Sequence, residues 1–173
     1  MKVILLEAPT EKDWLEVKRR ALVTVGLNPK NAPTSDWKRD ILRARHSPIR
    51  YLRFSFLFED LPYWVSVHLS RHVHAQPFVR SQRNDRQSDY DREKAPQDAP
   101  VRMIYDVNAE ELMVIANKRL CNQASKETQA AVREMCRLAA EACPEIKNFL
   151  VPMCEYRGGL CPEMHSCGKC MRG

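Results

Sequence analysis

The stretch LRFSFLF, residues 52–58, decides the architecture. Leu52, Phe54, Phe56 and Phe58 occupy every second position, with Arg53, Ser55 and Leu57 between them. Successive side chains of a strand point to opposite faces, so large apolar groups at period two predict a strand with one buried face. Val101, Met103, Tyr105 and Val107 repeat the pattern, and KVILLEA, residues 2–8, predicts a short first strand. Helical signals fill the gaps. Thr10 and Asp13 form a capping box ahead of Trp14, Val17, Ala21 and Leu22, and Gly26 and Pro29 close that helix. Pro33 and Ser35 open a second helix, which runs through Trp37, Ile41 and Leu42 to about Arg45. Pro62 starts a third, carrying Trp64, Val65 and Leu69 up to His72. Asn108 with Glu111 caps a fourth ending near Arg119, and Ser125 opens a fifth that stops before Pro144. Residues 76–100 show no periodicity and predict a long loop, a feature that is often functional. The order is β-α-α-β-α-loop-β-α-α, an α+β domain over residues 1–150 followed by a cysteine-rich tail over 151–173.

Composition narrows the function. At 173 residues the chain can bury a substantial core, and its 44% hydrophobic and 29% charged content is that of an ordinary globular protein. No run of eighteen apolar residues exists, which excludes a membrane-spanning helix. The start, MKVILLEAPTEKDW, is too weakly apolar for a secretory signal, so the expected location is cytoplasmic. A net charge of +6 favours anionic partners such as nucleotides.

The densest chemistry lies in Arg71-His72-Val73-His74, continuing to Arg80-Ser81-Gln82-Arg83-Asn84. A helix ends at an Arg-His pair and passes into a loop with a serine between two arginines. Guanidinium forks grip phosphate, and serine with loop N–H groups can complete the cradle. His72 and His74 can act as acid or base, donate to a ring, or bind metal. A solvated basic loop with one or two packed histidines is the alternative.

Arg71-His72, then Ser81 after the intervening loop, resembles the RHR-x7-S signature of the flavin-dependent thymidylate synthases, and Arg83 matches the arginine two places beyond the serine. Upstream, His46-Ser47-Pro48, the Phe-rich strand and Leu61-Pro62 resemble the approach to that signature. Downstream, Val107-Asn108-Ala109, Leu112-Met113 and Asn117-x-Arg119 resemble the flavin-contacting helix, and Ala124 and Glu127 the run after that helix. The blocks span roughly residues 44–145. The resemblance implies the family's fold, a mixed sheet with long helices. It also implies methylation of dUMP from methylenetetrahydrofolate, with hydride from reduced FAD, reduction of the flavin by NADPH, and a homotetramer. By carry-over, Arg71, His72 and Ser81 are the catalytic candidates. His46, Arg71, His72, Asn117 and Arg119 would contact FAD, and His68, Ser81, Arg83 and Gln129 would contact the pyrimidine deoxynucleotide.

The departures mark a shortened, divergent relative. Val73 stands where the signature has arginine, His68 where a glutamine is common, and Gln129 near an expected arginine. Arg50-Tyr51 and Phe78-Val79 replace Glu-His and Asn-Glu. The segment between Arg83 and Val101 is short, leaving Arg86, Arg92 or Arg102 to replace a phosphate-binding arginine.

All seven cysteines lie beyond residue 120, an odd number that argues against a disulfide framework. Cys154, Cys161, Cys167 and Cys170, with His165 among them, have the ligand types and closeness of a structural zinc site, and Gly158, Gly159 and Gly168 permit tight turns. A reactive Cys167/Cys170 dithiol or free tail thiols are the alternatives. Cys136 and Cys143 read as buried core thiols, and Trp14, Trp37, Trp64, Met103, Met113 and Met135 as packing residues. His46 can be a turn residue as easily as a flavin neighbour. Against the methyltransferase stands a second class, a zinc-stapled nucleotide- or nucleic-acid-binding protein on the same fold. Nucleic acid is a partner only on that second reading, and salt-dependent binding without flavin would favour it.

Overall fold

The computed structural model describes residues 1–86 and 91–172. Four strands, β1 (Lys2–Glu7), β2 (Arg53–Pro62), β3 (Ala75–Val79) and β4 (Pro100–Asn108), form one sheet in the order β1-β2-β4-β3. The α+β class is as expected, but the pairs of this sheet are all antiparallel, which corrects the expected mixed sheet. The only parallel pair among the described residues joins two-residue strands of the tail, β5 (Leu160–Cys161) and β6 (Met171–Arg172).

The period-two pattern is realised as read. Phe54, Phe56 and Phe58 of β2 and Met103, Tyr105 and Val107 of β4 are buried on one face. Each such side chain contributes roughly 2–3 kcal/mol of apolar burial. Helices cover that face: α1 (Glu11–Val23), α2 (Ser35–Arg43), α3 (Tyr63–Ser70), α4 (Ala109–Arg119) and α5 (Lys126–Ala142), with a short α6 (Met153–Tyr156) in the tail. Three of the starts are capped as anticipated: Thr10 and Asp13 exchange side-chain and backbone bonds, Asn108 accepts from the Glu111 N–H, and Ser125 accepts from the Thr128 N–H. For α2 the cap is Thr34, one residue before the expected Ser35. Trp14, Met103, Met113, Met135, Cys136 and Cys143 are buried, and Trp37 and Trp64 pack on the core as half-buried residues.

The opposite face of the sheet is left open. Ile4 pairs with Leu57, Leu57 with Ile104 and Ile104 with Phe78, so an apolar row crosses all four strands. Phe78 is 58% exposed and Ile104 38%.

The expected loop over 76–100 is shortened at its start, because Ala75–Val79 pairs with β4 as an edge strand. Proline is tolerated there, since an edge strand has N–H positions without a ladder partner. The Arg86 side chain and residues 87–90 lie outside the described residues.

Candidate functional site

The C-terminal end of α3 and the last turn of α4 meet at a buried polar chain. His72 is 9% exposed and sits beyond the helix, where the backbone turns into β3. The Arg119 Nε–H donates to His72 Nε2 at 3.1 Å, so Nε2 must be the accepting nitrogen. Nδ1 therefore carries the proton and donates to Glu111 Oε1 at 3.1 Å. This makes the contact a hydrogen bond of a neutral ring rather than an ion pair. Burial, reinforced by the Arg119 charge, depresses the His72 pKa to about 4. Burial chiefly also raises the Glu111 pKa, with Glu110 adding to the shift and the His74 charge opposing it.

Arg119 holds more than His72. Its Nη2 donates to the His68 carbonyl at 3.0 Å, tying α4 to α3. The His68 ring lies edge-on to Trp64, with its Nδ1 3.3 Å from Thr128 Oγ1. Burial, then the charges of Arg119 and Arg71, lower the His68 pKa. Arg71 caps α3 and is exposed, close enough for its charge to lower the Arg119 pKa after burial has done so. Arginine stays protonated regardless, so the site keeps its positive charge.

His72 and Arg119 border a cavity of about 260 Å³, lined also by Lys118, Gln123 and Glu163 among others. Neutral imidazole flanked by guanidinium and ammonium groups suits an anionic ligand. A larger groove of about 610 Å³ lies between α5 and the tail, but its Arg137 pairs with Glu134 and Glu141, and its Lys169 with Glu155. In the smaller cavity Lys118 is likewise paired with Glu163, so its case as an anion site rests on Arg119, which is held by the neutral His72 ring and the His68 carbonyl rather than by a carboxylate.

Other residues singled out in the sequence stand elsewhere. Asn117, 1% exposed, accepts from Arg45 Nη2 at 2.6 Å and donates to the Val151 carbonyl at 2.7 Å, so its amide is occupied within the chain. Arg83 is held by Asp85 through bonds of 2.8 and 2.6 Å on the surface. Ser81 is half-buried on the segment after β3, and Gln129 donates to the Ala124 carbonyl at 2.7 Å. His46 is exposed, just before the turn over Ser47–Tyr51, and Val73 is 83% exposed. Cys154 and Cys161 of the tail are buried, Cys170 is half-buried and Cys167 exposed.

Four participants carried no usable signal. Glu111 reads as a helix cap rather than a histidine partner. Arg45, at φ 50°, donates through Nε to Tyr156 Oη at 3.1 Å, and nothing in its surroundings in the sequence announces that role. Lys118 and Glu163 form a 3.3 Å ion pair between residues distant in sequence.

Residues 87–145 match the family model for the thymidylate synthase complementing protein. No curated protein sequence matches the chain. Among solved structures, thymidylate synthase X (ThyX) from Helicobacter pylori with FAD and dUMP superposes with a TM-score of 0.65 at 18% identity, covering 89% of this chain and 99% of that one. A second structure of the enzyme from Helicobacter pylori, also complexed with FAD and dUMP, gives 0.66 at 18% identity over the same shares. The UMP/dUMP methylase PolB from Streptomyces cacaoi, bound with 5-Br dUMP, gives 0.65 at 15% identity over 86% of this chain and 93% of that one. The fold is thus that of the flavin-dependent thymidylate synthases. The family match over 87–145 and the shared fold bear out the resemblance to that family, while Arg71, His72 and Ser81, which first carried it, lie outside the matched residues.

Proposed function

We propose that the protein is an FAD-dependent, thymidylate synthase-like enzyme. It would transfer a one-carbon unit from methylenetetrahydrofolate to C5 of dUMP or a related pyrimidine nucleotide, with NADPH as reductant, in nucleotide biosynthesis. The observation that carries this reading is the Arg119–His72–Glu111 chain beside a cationic cavity, on a fold whose solved neighbours hold FAD and dUMP. The donor set fits a flavin dinucleotide at Arg71 and Arg119, whereas both ring nitrogens of His72 are bonded within the chain, to Glu111 and Arg119. It does not fit at Asn117, whose amide is occupied. When bound, FAD supplies the hydride.

The chain's own residues bind, orient and supply charge. His72, neutral at physiological pH, fixes the Arg119 guanidinium rather than competing with it for an anion. Arg71, Lys118 and Arg119 supply the positive charge that favours negative charge developing on a pyrimidine ring as its C5 becomes nucleophilic. Ser81 and Arg83 are assigned to the nucleotide, for which Arg83 must exchange Asp85 for phosphate. His68, on α3, and Gln129, in the first turn of α5, are assigned to the pyrimidine. The open apolar row on the sheet suits a second copy of the chain, in line with a homo-oligomer.

Methylation at C5 must expel the C5 hydrogen. With FAD, NADPH and methylenetetrahydrofolate present, dUMP tritiated at C5 should release tritium to water. An FAD-loaded protein that releases none from dUMP or from UMP would overturn the reading.

A further inference from the structure

Five cysteines converge where the tail meets the end of α4. Cys121, Cys154, Cys161, Cys167 and Cys170 line one small cavity of about 10 Å³. That is room for about one water-sized sphere, hence for a single ion and not for an organic ligand or a cluster of several irons. Cys154 and Cys161 are buried, Cys121 and Cys170 half-buried. The Cys154 and Cys170 thiols are hydrogen-bonding neighbours. Cys121 belongs to the turn after α4, so the cluster joins two parts of the chain that the sequence alone did not connect.

The tail carries little regular structure of its own. Its regular structure is the four residues of α6 and the two-residue strands β5 and β6, far below what stands alone in water. Gly158, Gly159 and Gly168, at φ 67°, 97° and 81°, turn the chain sharply back on itself. Such a segment has the form of a small metal-stapled unit. Among the described residues no three His, Cys, Asp or Glu side chains stand in finished metal-binding geometry. The five thiols line the cavity without standing in that geometry.

We propose that Cys121, Cys154 and Cys161, with one thiol of the Cys167/Cys170 pair, bind a single structural Zn²⁺ that clasps the tail onto the C-terminal end of α4. Four thiols each release a proton to solvent and the resulting thiolates complete a tetrahedron, with no change of oxidation state. The Lys169 ammonium, near Cys154 and Cys170, offsets part of the anionic charge. The clasp also shapes the candidate site. Cys121 follows Arg119 by two positions and Glu163 follows Cys161 by two, and both Cys121 and Glu163 line the 260 Å³ cavity.

The test is elemental analysis of the full chain purified without chelator, a readout independent of flavin and activity. The expected result is about one zinc per chain surviving desalting. Cys121→Ser should lower this well below stoichiometry, whereas Cys136→Ala, in α5, should leave it unchanged. If Cys121→Ser does not fold, the wild-type protein still decides: a strong chelator should release the zinc and expose about four thiols that were previously protected from a thiol reagent. A folded zinc-free protein with freely reactive tail thiols would overturn the proposal, as would iron with labile sulfide.

Discussion

Asn117 and Arg119 sit two residues apart on the last turn of α4 and do opposite things. Arg119 turns toward α3, where it grips His72 and the His68 carbonyl beside an open cavity. Asn117 turns toward the tail, where Arg45 and the Val151 carbonyl engage both ends of its amide. Both belong to one Asn-x-Arg motif, and the resemblance gives both the same role. The difference teaches that a shared motif transfers chemistry only where the surrounding chain leaves the donors a ligand to meet. On the tail side the Asn117 amide ties Arg45 and Val151 to α4 within this chain.

Asn117→Ala should show the largest loss of stability. It strands a half-buried guanidinium N–H and the Val151 carbonyl, at a cost of roughly 3 kcal/mol, or a fall of roughly 6–12 °C in the melting temperature of a chain this size. If FAD affinity fell while the melting temperature held, the contrast between the two residues would collapse.

The next effect is a pH dependence. His72 binds its proton with a pKa of about 4 when folded, against an ordinary 6.5. The unfolded chain therefore holds more protons between those values, and stability must rise with pH across the window. The contribution is complete above about pH 6.5 and is lost progressively toward about pH 4. Allowing for water at the mouth of the cavity, it amounts to about 2 kcal/mol. His72→Gln should flatten that part of the curve, measured as wild type minus variant in denaturant melts across the same pH range.

Arg119→Ala should cost about 1–2 kcal/mol by leaving His72 Nε2 and the His68 carbonyl without their donor. It should also weaken FAD binding at least about tenfold, by removing one charge-assisted contact. Fluorescence titration with FAD separates this loss from the stability effect. Smallest of all is Arg83→Ala, which breaks an exposed pair with Asp85 and should shift stability by less than about 0.5 kcal/mol. Its expected signature is a raised KM for the nucleotide with FAD affinity unchanged.

Much of the fold was legible because its signals are local. The Phe-rich alternation and the Thr10, Asn108 and Ser125 caps each follow from a few neighbouring residues, and the structure realises them as read. β3 was not legible. Gln76 and Pro77 break any apolar alternation, and only pairing with β4 makes the segment a strand. In the candidate site, Arg71, His72 and Arg119 were visible through motif and order. Glu111 was hidden behind its role as a cap, and Arg45 behind a turn with left-handed backbone. Cys121 was hidden because the four tail cysteines already formed a plausible ligand set, and only three dimensions place it among them.

The most direct test of the central claim is the visible absorption of the purified protein before and after FAD is added and the excess removed by desalting. The account predicts a retained flavin spectrum in the wild type, kept in Asn117→Asp variants that remain folded and lost in Arg119→Ala. A protein that stays colourless with excess FAD, while folded by circular dichroism, would contradict it.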